Sequence, residues 1–413
     1  MRRHRAHPAA LALAVLAGVG CAATRGEDAD RAPSAGQQAA PATAPGEDAA
    51  NPASKADDAR HRVVFADRIS QGYLLLLPPA GHPPAIGRDD VVALLDRHAA
   101  RWEANPEASL LFEMARTDPD STRIDPARLG QTDEDLARAA ALRTKDVLGL
   151  AVEVLPLAEP GEPPLVDPAL LRDPILARDL PPDERARFAQ ATHALLLRGE
   201  YRNAHDVRGL RLLQAIVDVV AHHYGAAVFD FDTKETVRPD TFTRRLFRKD
   251  LYNVADQIVV VPLPGLSGDP SGSIRLVTRG MRRFGVPDLE LAPLPKDPAL
   301  LQDGTHLLMG LARVLAREAA LDPSGYARQA DDVLEVHYRD VDAAYAGRGA
   351  HLPHCDECPE TTAVHLVRRP PAETDARGHP VVRVTAPRPA SDAPGYDPEV
   401  WIRQALADLF GRR

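Results

Sequence analysis

Short apolar runs alternating with amphipathic stretches predict an α+β fold, a mainly antiparallel sheet with helices packed on one face and a small C-terminal α+β appendage. Three observations carry this. Between 191 and 320 the chain reads strand, helix, strand, then several strands in succession, then a helix. The stretch at about 206–224 places Leu210, Leu213, Ile216, Val217 and Val220 on one helical face, with Gly225 suited to a left-handed stop. The runs 256–263 and 273–279 flank a loop rich in Gly, Pro and Ser, as a hairpin requires.

Taken in order, residues 72–77 read as a buried strand that Pro78 and Pro79 end. Asp89 is expected to cap a helix reaching Trp102, with Val91, Leu94, Leu95, His98 and Trp102 on one stripe. Residues 108–114 suggest a strand, 133–145 a helix and 147–155 a strand, closing a unit at 59–155. The proline-studded stretch 156–182 reads as a linker or long surface loop. A second unit, 183–325, begins with a strand at 191–197, followed by the helix described above and a short buried strand at 226–230. Asp240 is expected to cap a short helix, and the hairpin follows. Gly285, Val286 and Pro287 turn the chain into a strand at 288–292, and Asp297-Pro298 opens a helix to about 320. The region 326–413 carries candidate strands at 333–336, 361–368 and 380–385. It ends in a helix from Pro398, with Val400, Trp401, Ala405, Leu406 and Leu409 expected to face inward.

The segment before the body reads as an address. Arg2, Arg3 and Arg5 precede an apolar run from Ala9 to Val19. That run is shorter than the roughly 20 residues a membrane-spanning helix takes, and fits a signal-peptide core. It ends in Gly18-Val19-Gly20-Cys21, which resembles a bacterial lipobox with Gly18 where leucine is usual. The resemblance implies that the lipoprotein signal segment 1–21 is cleaved just ahead of Cys21 and that lipid, palmitate included, is attached to Cys21. Residues 22–58 are rich in Ala, Pro, Gly, Ser and Asp with no aromatic side chain, a composition expected of a disordered stalk. Such a stalk would hold the body on the order of 35 Å from the membrane. Ala22 in place of an aspartate favours the outer over the inner membrane. The formal net charge of −9 offers nothing to nucleic acid.

The segments GAAVFDFDTKETV (225–237) and TRGMRRFGVPDLEL (278–291) resemble motifs of uncharacterised bacterial lipoproteins that carry a domain of unknown function. The resemblance covers about residues 190–320. It supports the α+β reading and implies no activity.

Three groups of residues are candidates for chemistry. The densest is His351, His354, Cys355, Cys358 and His365. A C-x-x-C loop can hold a disulfide, clamp zinc or act as a redox pair. Adjacent His354 and Cys355 point apart, so a zinc site would use Cys355 and Cys358 with His351 or His365, or with distant His337 or His379. Asp356 and Glu357 between the thiols would raise their pKa and weaken a redox role, and an oxidising compartment favours a disulfide between the pair. The second group is His205-Asp206 with His193, His222 and His223, the residue types of a metal-dependent phosphohydrolase. Its plainer reading makes Asp206 a helix cap or first-turn acid and the two later histidines favourable charges in the last turn. Third, Asp230, Asp232, Asp288 and Glu290 would converge into a cation site or acid–base pair if strands 226–230 and 288–292 pair. The loop 264–273 lacks the Lys-Ser/Thr of a phosphate-cradling loop, and G-x-S-x-G and H-E-x-x-H are absent. The expected function is a non-catalytic, lipid-anchored envelope protein that binds a ligand or another envelope protein, with no cofactor. The alternative is an exported zinc-binding protein or metallo-hydrolase built on Cys355/Cys358/His or on His205-Asp206.

Overall fold

The computed structural model describes residues 59–79, 84–124, 132–248, 253–346, 359–373 and 378–411, together with Arg348, Leu352 and Asp375. The signal segment 1–21 with Cys21, the stalk 22–58, and His351, His354, Cys355 and Cys358 lie outside the described residues. The class is α+β, with two mainly antiparallel sheets.

The first sheet and its helices use β1 (Ile69–Leu76), α1 (Arg88–Arg97), α2 (Ala108–Arg116), α3 (Asp133–Arg143), β2 (Val147–Pro156), α4 (Pro168–Arg172) and α5 (Pro182–Phe188). They continue with β3 (His193–Tyr201), α6 (Arg208–Tyr224), β4 (Ala227–Asp230), β5 (Thr236–Val237) and α7 (Pro239–Arg245). Strand order is β2-β3-β1-β4-β5, antiparallel throughout. Both faces of this sheet are apolar, and the two-residue period sorts them. Tyr73, Leu75, Leu195, Leu197 and Val228 join the core that holds α6. Leu74, Leu76, Ala194, Leu196 and Phe229 form a second core on the opposite face.

That second face explains the proline-rich stretch. Leu157, Val166, Leu171, Ala177 and Leu180 are buried against it, so residues 156–182 cover the sheet instead of linking two units across solvent. β2 and β3, on either side of the stretch, pair along their whole length, and the boundaries read at 155 and 183 therefore cut through one sheet.

Several local expectations change. Residues 108–114 are helical because their apolar positions recur at helical spacing: Leu111, Met114 and Ala115 are the buried side chains of α2. A short apolar run is ambiguous by period alone, and Ala, Leu, Met and Glu are strong helix formers. The cap of α1 is Gly87, whose backbone N–H donates to Asp90, while Asp89 lies in the first turn. Asp240 likewise sits one residue inside α7, after Pro239.

The second sheet uses β6 (Val259–Pro264), β7 (Ile274–Arg279), β8 (Asp288–Leu294), α8 (Pro298–Glu318), β9 (Leu334–His337) and α9 (Tyr338–Ala344). It is completed by β10 (Thr361–Arg368), β11 (Val381–Thr385), α10 (Arg388–Ser391) and α11 (Pro398–Phe410). The order is β6-β7-β8-β11-β10-β9, with β8–β11 the parallel pair. β6 and β7 form the expected hairpin. The region 326–413 supplies three strands of this sheet and shares its core with α8. In α11 the inward stripe is Ile402, Ala405, Leu406, Leu409 and Phe410. Val400, two residues before Ile402 and therefore about 200° away around the helix, is 63% exposed and does not face inward. One apolar cluster runs through both sheets. No helix among the described residues is long and apolar enough to cross a membrane.

The tightest approach within the first sheet's core is at Gly209, in the first turn of α6. A methyl group there would lie 2.4 Å from the buried Tyr201 side chain. Gly209→Ala is expected to cost about 1–3 kcal/mol through overpacking, read as a lowered midpoint in urea unfolding with the slope unchanged.

Candidate functional site

β4 runs into a tight turn at Asp230, whose carboxylate accepts the backbone N–H of Asp232 at 2.8 Å. Lys234 takes a left-handed conformation in that turn, with φ 63. From the other sheet, the single helical turn Met281–Phe284 between β7 and β8 delivers Arg282 and Arg283 to the same place. The Arg283 Nη2 donates to both Asp230 oxygens, at 3.0 and 2.8 Å, and lies 3.4 Å from Asp232. The Arg282 Nη2 reaches the other Asp232 oxygen at 2.6 Å. His379 extends the chain of charges, with Nε2 3.8 Å from Asp232 and Nδ1 3.3 Å from Asp288. Asp288 also accepts from the Thr278 hydroxyl and the Met281 N–H.

Neutral polar groups complete the seam. The Gln214 amide donates to the Tyr73 hydroxyl at 3.1 Å and to Gln257 at 2.7 Å. The Tyr201 hydroxyl and the Asn203 amide donate to the backbone oxygens of Arg283 and Phe284. Arg283 is 1% exposed, so the guanidinium and its acids lie almost out of water. Burial alone would favour the neutral forms. For Arg283 that tendency is overcome by Asp230 and Asp232, which hold it charged. For Asp232 it is overcome by Arg282, Arg283 and His379, which hold the carboxyl below the ordinary aspartate range. Burial pushes the Tyr73 hydroxyl up, keeping it protonated. The cavity lined by Tyr73, Gln214, Asp230, Gln257 and Arg283 measures about 30 Å³, room for water and too little for an organic substrate.

The structure therefore brings together three of the four acids read from the sequence, by a route other than the expected one. β4 and β8 belong to different sheets and do not pair. Glu290 leaves the group: it is fully buried in a second cluster, 2.7 Å from Arg275 and 2.8 Å from both Arg369 and Arg383. Asp375 answers Arg275 and Arg369 there at 3.1 and 2.7 Å. In both clusters guanidinium groups stand where the cation site was expected.

The His205-Asp206 group is dispersed. His222 and His223 sit in the last turn of α6, whereas His205 precedes its start. Seventeen helical residues separate the two ends by about 25 Å. His205 Nδ1 lies 3.0 Å from Asp146, which also accepts from Arg208. His222 contacts Asp240, and His193 lies beside Thr192 at the start of β3. Asp206 is no cap: it takes a left-handed conformation, φ 51, and Val207 occupies the N-cap position.

His365 is committed too. Its Nδ1 donates to the Asp332 carbonyl at 2.6 Å, which leaves Nε2 as the acceptor for His61 Nδ1 at 2.8 Å. Burial holds His365 below the ordinary histidine pKa, against the Asp332 hydrogen bond and with help from His61. The lone pair that zinc would need is already used. Among the described residues no group of three or more His, Cys, Asp or Glu is placed to hold a metal ion. Comparison with protein-family models, curated proteins and solved structures finds no match for this chain.

Sequence reading missed Arg282, Arg283 and the Gln214–Gln257 pair, and offered His379 only as a distant zinc ligand. The available signal was the Arg-Arg step inside TRGMRRFG, set opposite the two aspartates of FDFD. Arg283→Met would leave Asp230 and Asp232 buried beside fewer cations, and is expected to cost about 3–5 kcal/mol in chemical denaturation. Adding Asp230→Asn should recover part of that loss, a coupling readable in a double-mutant cycle. A carboxyl held below its unfolded-state pKa binds its proton less readily when folded. The stability from Asp232 is thus complete above the ordinary aspartate range and lost as pH falls below it. Asp232→Asn should flatten the acid limb of the stability–pH profile, measured by urea midpoints between pH 6 and acid unfolding.

Proposed function

We propose that this chain is a non-catalytic, lipid-anchored protein of the bacterial cell envelope whose body acts as a binding or interaction domain. The anchor half of the reading rests on the basic head, the short apolar run, Cys21 and the stalk-like composition after it. The observation that carries the non-catalytic half is the state of the candidate acids and histidines. Asp230, Asp232, Asp288 and Glu290 are each engaged by arginine, histidine or backbone donors, and His205 and His365 by fixed partners. A general base works when its lone pair faces a space that a substrate can enter. The polar seam offers about 30 Å³.

The zinc reading gains no support from His365, whose ring nitrogens are both in use. The resemblance of GAAVFDFDT and TRGMRRFGVPDLEL to uncharacterised lipoproteins fits a shared scaffold, since the two motifs carry opposite halves of one ion cluster.

The full chain expressed in a bacterium with labelled palmitate should carry label and sediment with membranes, outer more than inner. Cys21→Ser should carry none. An unlabelled wild-type chain recovered from the cytosol with its N-terminus intact would defeat the proposal.

A further inference from the structure

A groove of about 270 Å³ lies between α11 and the β9–β10 pair, away from the polar seam. Its walls follow from two periodicities. On α11 the side chains of Trp401, Gln404, Ala405 and Asp408 are spaced by three, four and seven residues and so share a face. On the strands, Glu335 stands directly opposite Ala363, and Thr361 lies two residues before Ala363 on the same side. Ala363 and Ala405 contribute small side chains to the lining, one from each wall.

We propose that this groove binds a single uncharged or amino-bearing pyranose ring of a glycan; the assignment rests on the reading of the body as a binding domain and names its ligand. Trp401 is half-buried against the core and also lines the groove, an indole held in place by its own packing. A pyranose offers an apolar C–H face that such a ring can cover, and hydroxyl donors around its edge. The acceptors for those donors are present. The Gln404 amide donates to Asp408 Oδ1 at 2.6 Å, and each side chain keeps a further oxygen able to accept a hydrogen bond. Glu335 adds a carboxylate, and Thr361 a hydroxyl, from the opposite wall.

The same lining selects against other classes. A purely apolar ligand would desolvate Glu335 and Asp408 without a hydrogen bond in return. An anion would meet two carboxylates, with no lysine or arginine among the groove's lining residues. The volume falls just below the ~300 Å³ at which drug-sized pockets begin, which suits one sugar ring.

The test is calorimetry on the full chain in detergent, titrated with a neutral gluco-oligosaccharide, a glucosamine oligosaccharide and an oligogalacturonate. Binding of the neutral or the amino sugar is expected, with the uronate at least about tenfold weaker. Trp401→Ala, and independently Ala363→Phe, which fills the groove from the strand side, should each weaken binding by about tenfold with an unchanged circular dichroism spectrum. Heats from none of the three probes, equal binding of the uronate, or wild-type affinity in both variants would overturn the assignment. A silent panel from a chain that carries palmitate and crosslinks in cells to an envelope partner removes this inference alone. Silence from an unlabelled, cytosolic chain removes the parent reading with it.

Discussion

One guanidinium joins the two halves of this molecule. Arg283 leaves the second sheet and ends between Asp230 and Asp232 of the first, nearly out of water. Taking such charges from water is expensive, and their mutual attraction repays it when the geometry is good and the remaining donors are satisfied. Here the ion pairs are close and most of the donors are satisfied, Arg282 Nε being an exception. Arg283 Nε donates to the Gly280 carbonyl, Arg282 answers the second oxygen of Asp232, and Gln257, Gln214 and Tyr73 carry the network into the first sheet. An apolar seam of the same volume would tolerate sliding; a charged, hydrogen-bonded one has one register. This contact helps align the two sheets, together with the Tyr201 and Asn203 hydrogen bonds and the apolar cluster that runs through both.

The second charged cluster applies the same logic within one sheet. One side of β7, β8 and β11 carries Arg275, Glu290 and Arg383, while Leu276, Leu289, Leu291 and Val382 join the core under α8. Two-residue alternation makes that division automatic once the strands pair. Arg369 and Asp375 then cover the charged side. The titratable groups of these two clusters are therefore consumed by structure, and a groove lies at the end of the second sheet. There α11 and the β9–β10 pair line the space between them.

Much of the architecture was legible before any coordinates. The helix ending at Gly225, the β6–β7 hairpin, the proline-initiated helix at Asp297-Pro298 and the strands of the C-terminal region were each written in local pattern or turn chemistry. Errors fell where the pattern was short or the partner remote. Residues 108–114 were too few to separate a helix from a strand by periodicity. The stretch 156–182 looked like a linker because prolines mask the five apolar residues that it contributes to the second core. Val400 was placed inward by type, although the helical period puts it opposite Ile402.

The candidate acids show where local information ends. Their residue types and their buried flanks could be read from FDFD and from PDLEL, while their convergence hung on a strand pairing that does not form. What could not be read was which strands would be neighbours, because pairing is a choice among remote segments that no single segment encodes. β11, nearly a hundred residues after β8, lies beside it in parallel, and His379, just ahead of β11, arrives with it to bridge Asp232 and Asp288. Composition and periodicity were enough for most of the helices and strands, since those depend on residues adjacent along the chain. Sheet order, the arginine clamp and the groove beneath Trp401 had to wait for the packed chain, since each is a meeting of side chains whose separation in sequence carries no trace of their distance in space.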